Sequence, residues 1–175
     1  MNWSRVALIT LILVTGGALS QDVPLGSVYS KDGVSYGTYF NGRFGFAAAV
    51  PLDYLQPEAG ALGGSGQVFS APTGEELRVF GSTLLLENDL AEAYSVLSQD
   101  TPDRQVTYKV EREDWFVVSG FDGDTVFYTK VMLHPESGAY LTLTLRYDRS
   151  LKPTFDPITE EVVRSFRALE GVGGG

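Results

Sequence analysis

The chain has 175 residues, with 13 Lys and Arg against 22 Asp and Glu, a net charge of −9 and no cysteine. That length suits one domain, and the acidic balance argues against nucleic acid or anionic lipid as a partner. Without cysteine there are no disulfides, no thiolate metal sites and no lipid-bearing cysteine, so a folded domain rests on its own core; 43% hydrophobic and 12% aromatic residues supply one.

Residues 1–20 carry one early positive charge, Arg5, then an apolar run from Val6 to Val14 broken only by Thr10, then Ala18-Leu19-Ser20. This pattern predicts an export signal cleaved before Gln21. A retained anchor is the competing reading, but the run is far short of the roughly 20 apolar residues that span a bilayer. Cleavage makes the net charge one unit more negative and sends a soluble protein to the periplasm or the exterior. No later run is long enough to span a membrane.

Residues 21–35 mix Pro24, Gly26, Lys31, Asp32 and Gly33 without a period and read as a linker or N-terminal arm. Strands are predicted at 36–40 and 43–50, joined by Asn41-Gly42, a pair that tolerates positive φ in a tight hairpin. Residues 51–57 read as a helical turn or a structured loop, and the small residues of 59–66 as a mobile loop. Short strands follow at 67–70 and 76–81, around the turn Ala71-Pro72-Thr73-Gly74. Asp89 opens the first helix: Leu90, Ala93, Tyr94 and Leu97 share a face, and Asp89 with Glu92 has capping-box spacing. Pro102 bars its continuation.

The strand at 106–112 places Val106, Tyr108 and Val110 on one side, and the apolar run 115–121 predicts a central strand covered on both faces. Two more strands follow the turn Asp122-Gly123-Asp124. The first has Phe127, Val131 and Leu133 on one side with Tyr128 and Lys130 on the other. The second alternates Leu141, Leu143, Leu145 and Tyr147 with Thr142, Thr144 and Arg146, the period of a strand. A second helix is predicted to start at Asp156-Pro157, a cap followed by proline at the first helical position. Ile158, Val162 and Phe166 recur along it. Phe127, Leu143 and Phe166 are expected to share one interior, and 170–175 to form a flexible glycine-rich tail.

Sites of chemistry are few. His134, the single histidine, stands beside Pro135 in a turn and is expected to be solvent-exposed, which suits a catalytic base poorly. Gly63-Gly64-Ser65-Gly66 is followed by Gln67, so the G-x-S-x-G pattern fails. Asp122-Gly123-Asp124 offers calcium two carboxylates but stops short of a full calcium loop and reads as a hairpin turn. No phosphate-cradling or dinucleotide-binding glycine motif is present. The acidic groups Glu75-Glu76, Glu111/Glu113/Asp114 and Glu160-Glu161 read as solvated charges. No catalytic residue, cofactor or metal ligand is assigned. The candidate binding face is Tyr128, Lys130, Thr142, Thr144 and Arg146, which adjacent antiparallel strands bring together, with Arg146 as the anion contact. Ordinary cross-strand pairing is the competing reading.

The succession Arg43-Phe44-Gly45-Phe46 to Pro51, Val79-Phe80-Gly81, Trp115 to Gly120, Val126 to Lys130, and Phe155-Asp156-Pro157 through Ser165-Phe166 resembles the PsbP/Mog1-like group of small exported bacterial proteins, which includes DcrB-like members. The resemblance covers 36–169. It implies one α+β domain there: an antiparallel sheet flanked by helices as an α/β/α sandwich. It also implies a non-enzymatic accessory or binding role with an unidentified envelope protein. Photosynthetic members assist an oxygen-evolving complex and others bind a small GTPase, but no partner-binding residue of either subgroup maps onto this chain. Two alternatives follow from the residues. One is a hydrolase or metal-dependent enzyme whose carboxylates converge in the fold, which calls for a deep pocket with acids in opposed environments. The other is a small-ligand or cation-binding module.

Overall fold

The computed structural model describes residues 25–83 and 89–171; the expected export signal at 1–20 lies outside them. The first element is a hairpin, β1 (Leu25–Lys31) and β2 (Val34–Asn41), turning at Asp32-Gly33 where both φ angles are positive. Most of the expected linker at 21–35 is therefore strand. Its pattern was hidden because β1 is exposed along most of its length, while Tyr29 stacks on Tyr36 across the pair at 5.4 Å.

Asn41 does not make a two-residue Asn-Gly turn. The chain turns over four residues, 42–45, and the positive φ falls on Gly45. Asn41 is buried: its Oδ1 accepts from the Phe44 N–H at 2.9 Å and its Nδ2 donates to the Gly64 carbonyl at 3.1 Å. A buried amide saturated in this way fixes the turn as a cap would. The following β3 (Phe46–Pro51) is buried throughout. A turn at 52–54 buries Leu55 and leads into β4 (Gln56–Pro57). The expected mobile loop at 59–66 contains a short 3-10 segment, Ala61–Gly64, tied to the sheet by the Gly81 N–H donating to Ser65 O at 2.8 Å.

The remaining strands are β5 (Gly66–Ser70), β6 (Glu76–Ser82), β7 (Arg104–Glu111), β8 (Trp115–Asp122), β9 (Thr125–Leu133), β10 (Tyr140–Asp148) and β11 (Arg167–Ala168). Helix α1 (Leu90–Leu97) starts as expected, with the Asp89 carboxylate accepting from the Glu92 N–H at 2.8 Å. Helix α2 (Lys152–Ser165) begins a turn earlier than expected. Asp148 caps a 3-10 turn, Arg149–Leu151, that runs straight into it. Pro157 is thus inside the helix, and its missing N–H would have faced the carbonyl of another proline, Pro153.

All strand pairs are antiparallel, in a four-stranded sheet of order β1-β2-β3-β11 and a seven-stranded sheet of order β4-β5-β6-β10-β9-β8-β7. The small sheet and α2 share an interior with one face of the large sheet, built on Phe46, Phe69, Leu143, Phe155 and Phe166. On the opposite face α1 covers Phe116, Val118, Phe127 and Val131. Phe127, Leu143 and Phe166 are all buried, but Phe127 belongs to the α1 side and the other two to the α2 side. Register explains the split. Directly opposed residues share a face; Leu143 opposes Lys130, whereas Phe127 opposes Arg146. Among the described residues no helix is long and apolar enough to cross a membrane.

One polar cluster binds the leading hairpin to α2. Glu161 is buried and receives hydrogen bonds from Lys31 Nζ at 2.6 Å, from Tyr29 Oη at 2.7 Å and from Arg164. The expectation of a solvated acid fails here because β1 folds over it. Burial pushes its carboxyl up, but the hydrogen bonds from Lys31, Tyr29 and Arg164 outweigh this and bring the pKa down to about 2. A depressed folded-state pKa gives stability that is complete above the unfolded carboxylate value and lost as pH falls through the folded value. Glu161→Gln is therefore expected to cost about 2 kcal/mol at neutral pH, reduced by the exposure of Lys31 and Arg164. Its stability deficit should shrink between about pH 4.5 and pH 2. Denaturant titrations across that range check it; a deficit constant with pH contradicts the account.

A candidate binding cavity under helix α2

The inner face of the large sheet is covered unevenly. Over β6 it meets β3 of the small sheet and over β10 and β9 it meets α2, whereas toward β8 and β7 the cover thins. The gap is a cavity of about 550 Å³, within the usual range for small-ligand sites. Its floor is Val117, Ser119, Tyr128 and Lys130, its roof is Asp156, Thr159, Glu160 and Val163 of α2, and Tyr108 and Trp115 stand at the sheet edge.

Strand register builds this floor. Lys130 is opposed by Val117 on one side and Leu143 on the other, and Tyr128 by Ser119 and Leu145, so all six share the α2 face. Tyr108 reaches the same face through a bulge. The pairing of β7 with β8 runs Val106 to Gly120 and then Tyr108 to Ser119, leaving Thr107 extra. A bulge of this kind reverses the side to which later residues point. Val106 therefore packs on the α1 side while Tyr108 lines the cavity, and the expected single side for Val106, Tyr108 and Val110 is not formed.

The charges at the roof are paired. Lys152 Nζ is 2.9 Å from Asp156 Oδ1, which also accepts from the Tyr147 hydroxyl at 2.9 Å, and Arg164 lies 3.9 Å from Glu160. Lys130 differs. Its Nζ donates to the carbonyls of Val163 at 3.5 Å and Phe166 at 3.4 Å, long contacts at the C-terminal end of α2. It also stands 5.8 Å from the ring centroids of both Trp115 and Phe166. Burial lowers the pKa of this ammonium, partly offset by Asp114. Burial likewise drives the phenols of Tyr128 and Tyr147 up to about 12, so both stay protonated hydrogen-bond donors.

The five residues of the expected binding face are divided. Tyr128 and Lys130 line the cavity, whereas Thr142, Thr144 and Arg146 point to the α1 side. All five carry even numbers, and the register of β9 with β10 pairs even with odd: Lys130 opposes Leu143 and Arg146 opposes Phe127. Thr144 sits 3.5 Å from Thr129, hydroxyl to hydroxyl, and Arg146 pairs with Asp122 at 2.8 Å. That ion pair occupies one carboxylate of the Asp122-Gly123-Asp124 turn, which is the hairpin between β8 and β9. Among the described residues no three metal-capable side chains come together. Sequence reasoning missed Tyr108, Trp115, Tyr147 and the α2 roof; of these only Trp115, leading an apolar strand next to Lys130's strand, carried a signal.

Two further expectations fail. His134 is buried, because the turn after it closes over the ring: Nδ1 accepts from the N–H groups of Glu136 at 3.2 Å and Ser137 at 3.3 Å. Glu75 is buried too, next to the Thr73 hydroxyl that donates to it. The glycine-rich tail at 170–175 is described only to Gly171, whose N–H donates to Glu136 Oε2 at 3.0 Å.

No family model and no curated protein matches the sequence. Solved structures do. The chain is similar to the solution structure of cyanobacterial PsbP from Synechocystis sp. PCC 6803, with a TM-score of 0.53 and 19% identity, covering 83% of this chain and 99% of that one. It is also similar to the crystal structure of the Saccharomyces cerevisiae Ran-binding protein Mog1p, with a TM-score of 0.52 and 10% identity, covering 78% of this chain and 96% of that one. Two helices packed on antiparallel sheets in this order give the chain the PsbP/Mog1-like α+β fold.

Proposed function

We propose that this is an exported, non-enzymatic domain that binds a protein of the cell envelope through the cavity-bearing edge of its large sheet. The carrying observation is the cavity itself, an aromatic-rimmed recess beside β7, where Tyr108 is 53% exposed. Exposed aromatics next to a concavity are the usual anchors of protein interfaces. The yeast structural neighbour is a Ran-binding protein, which supports a binding role for the fold. Asp156 and Glu160, the acids of the cavity, both sit on α2 and each faces a cation. That arrangement favours binding over the opposed acid pair of a hydrolase. Export rests on the pattern of residues 1–20, and 36–169 with the leading hairpin forms the exported body.

Exported material is expected to begin at Gln21 on N-terminal sequencing; material beginning at Met1 contradicts export with cleavage. Pull-down from envelope extracts is expected to recover a stable complex, and Tyr108→Arg to lower recovery about tenfold or more. Turnover of a substrate by the purified protein would remove the non-enzymatic reading.

A further inference from the structure

We infer that the cavity under α2 is a site for a small aromatic carboxylate, held by ring contacts with Trp115, Tyr108 and Tyr128 and by an ion pair with Lys130; this rests on reading the cavity as the binding site. Charge complementarity carries the argument. The cavity brings together three cations, Lys130, Lys152 and Arg164, and two acids, Asp156 and Glu160. Asp156 is paired with Lys152, while Arg164 hydrogen-bonds Glu161 and lies 3.9 Å from Glu160, an acid largely in solvent. Lys130 has no carboxylate within ion-pair distance among the described residues: its hydrogen bonds are long and go to main-chain carbonyls, and Asp114 acts on it from farther away. A monoanion placed there gains a charge-assisted bond and leaves no buried charge unpaired. A second carboxylate would meet Asp156 or Glu160.

The ring chemistry is independent of that charge. Many aromatic side chains of the interior pair with each other, as Tyr39 does with Phe46 and Phe69, or Tyr147 with Phe155, whereas Phe44, Phe121 and Phe127 each meet an arginine instead. Among the described residues Tyr108, Trp115 and Tyr128 have no aromatic partner within stacking distance, and all three line the cavity. An aromatic guest takes that open position, and a flat ring bearing one carboxylate reaches Lys130 while lying among them.

The chain has two tryptophans, Trp3 and Trp115; Trp3 falls in the segment expected to be removed before Gln21, so exported material reports the cavity through Trp115 as its single indole. Phenylacetate, phenylacetamide and octanoate are titrated while Trp115 emission and calorimetric heat are followed. Phenylacetate is expected to bind about tenfold or more tightly than the neutral amide, the worth of one charge-assisted hydrogen bond, and about threefold or more tightly than octanoate. Lys130→Met is expected to abolish the acid-over-amide preference. Equal affinity for acid and amide, equal affinity for phenylacetate and octanoate, or no response at millimolar phenylacetate overturns the inference. Because the comparison of acid with amide is made on the protein with Lys130 intact, the result does not depend on the variant folding. Should the probes fail while Tyr108→Arg still abolishes capture of the protein partner, this inference falls and the binding role stands; the reverse pattern removes the protein partner and keeps the ligand site.

Discussion

Phe46→Ala is expected to destabilise the protein by about 4 kcal/mol, near the middle of the range for deleting a buried phenylalanine ring. For a domain of this size that lowers the melting temperature by roughly 10 °C. Phe46 is completely buried on β3, a strand with no exposed residue. Its ring meets Tyr39 edge-on at 6.1 Å and Phe166 edge-on at 5.9 Å. Tyr39 in turn meets Phe69 of the large sheet at 5.7 Å. The ring therefore joins the small sheet, the end of α2 and the large sheet, and no single neighbour can collapse into the space it leaves. Phe166 also packs beside Lys130, so loosening it is expected to weaken ligand binding in the cavity as well. Phe40→Ala, on β2 where the side chain is 45% exposed, is the matched control, with an expected cost below about 1 kcal/mol. Scanning calorimetry on both variants decides it: equal shifts would mean that the interior does not pass through β3.

The strands were readable because alternation survives in one dimension. Leu141, Leu143, Leu145 and Tyr147 show it directly, and Asp89 with Glu92 announces α1 by chemistry local to four residues. Which faces of two strands coincide is set by register, which is a property of the pair. Alternation marks Tyr128 and Lys130 as the polar side of β9, yet nothing local in the sequence specifies that they oppose the leucines of β10. The bulge at Thr107 is equally silent in sequence, so Tyr108 looked like a companion of Val106. His134 and Glu161 failed for a third reason. Each reads as a polar residue on a turn or helix surface, and each is buried by a segment distant or folded back, β1 over Glu161 and the 134–138 turn over His134. The candidate site combines these effects, and its roof comes from α2, far from β7 and β8 in sequence.

Gly120→Val is expected to cost about 3 kcal/mol and to weaken phenylacetate binding in the same protein, an overpacking cost at the upper end of its usual range. A Cβ at position 120 would lie 1.9 Å from the Gln105 carbonyl oxygen, and 2.9 Å from both Gln105 C and Val106 Cα. These are main-chain atoms of β7, so no rotamer change relieves the clash and the strand itself must shift. The shift falls on the bulge that turns Tyr108 toward the cavity. Stability and binding are thereby coupled through one strand, at a position whose side chain would face α1 and touch no ligand. Gly42→Val separates this from a general intolerance of glycine replacement. No atom lies within 4 Å of a Cβ there and its φ is not positive, so its cost is expected to stay within about 0.5 kcal/mol. Denaturant midpoints for both variants, with phenylacetate titrations under conditions where Gly120→Val remains folded, provide the measurement. A Gly120→Val protein that loses stability but binds phenylacetate with unchanged affinity would place Tyr108 outside the ligand's contacts and leave Trp115, Tyr128 and Lys130 to form the site alone.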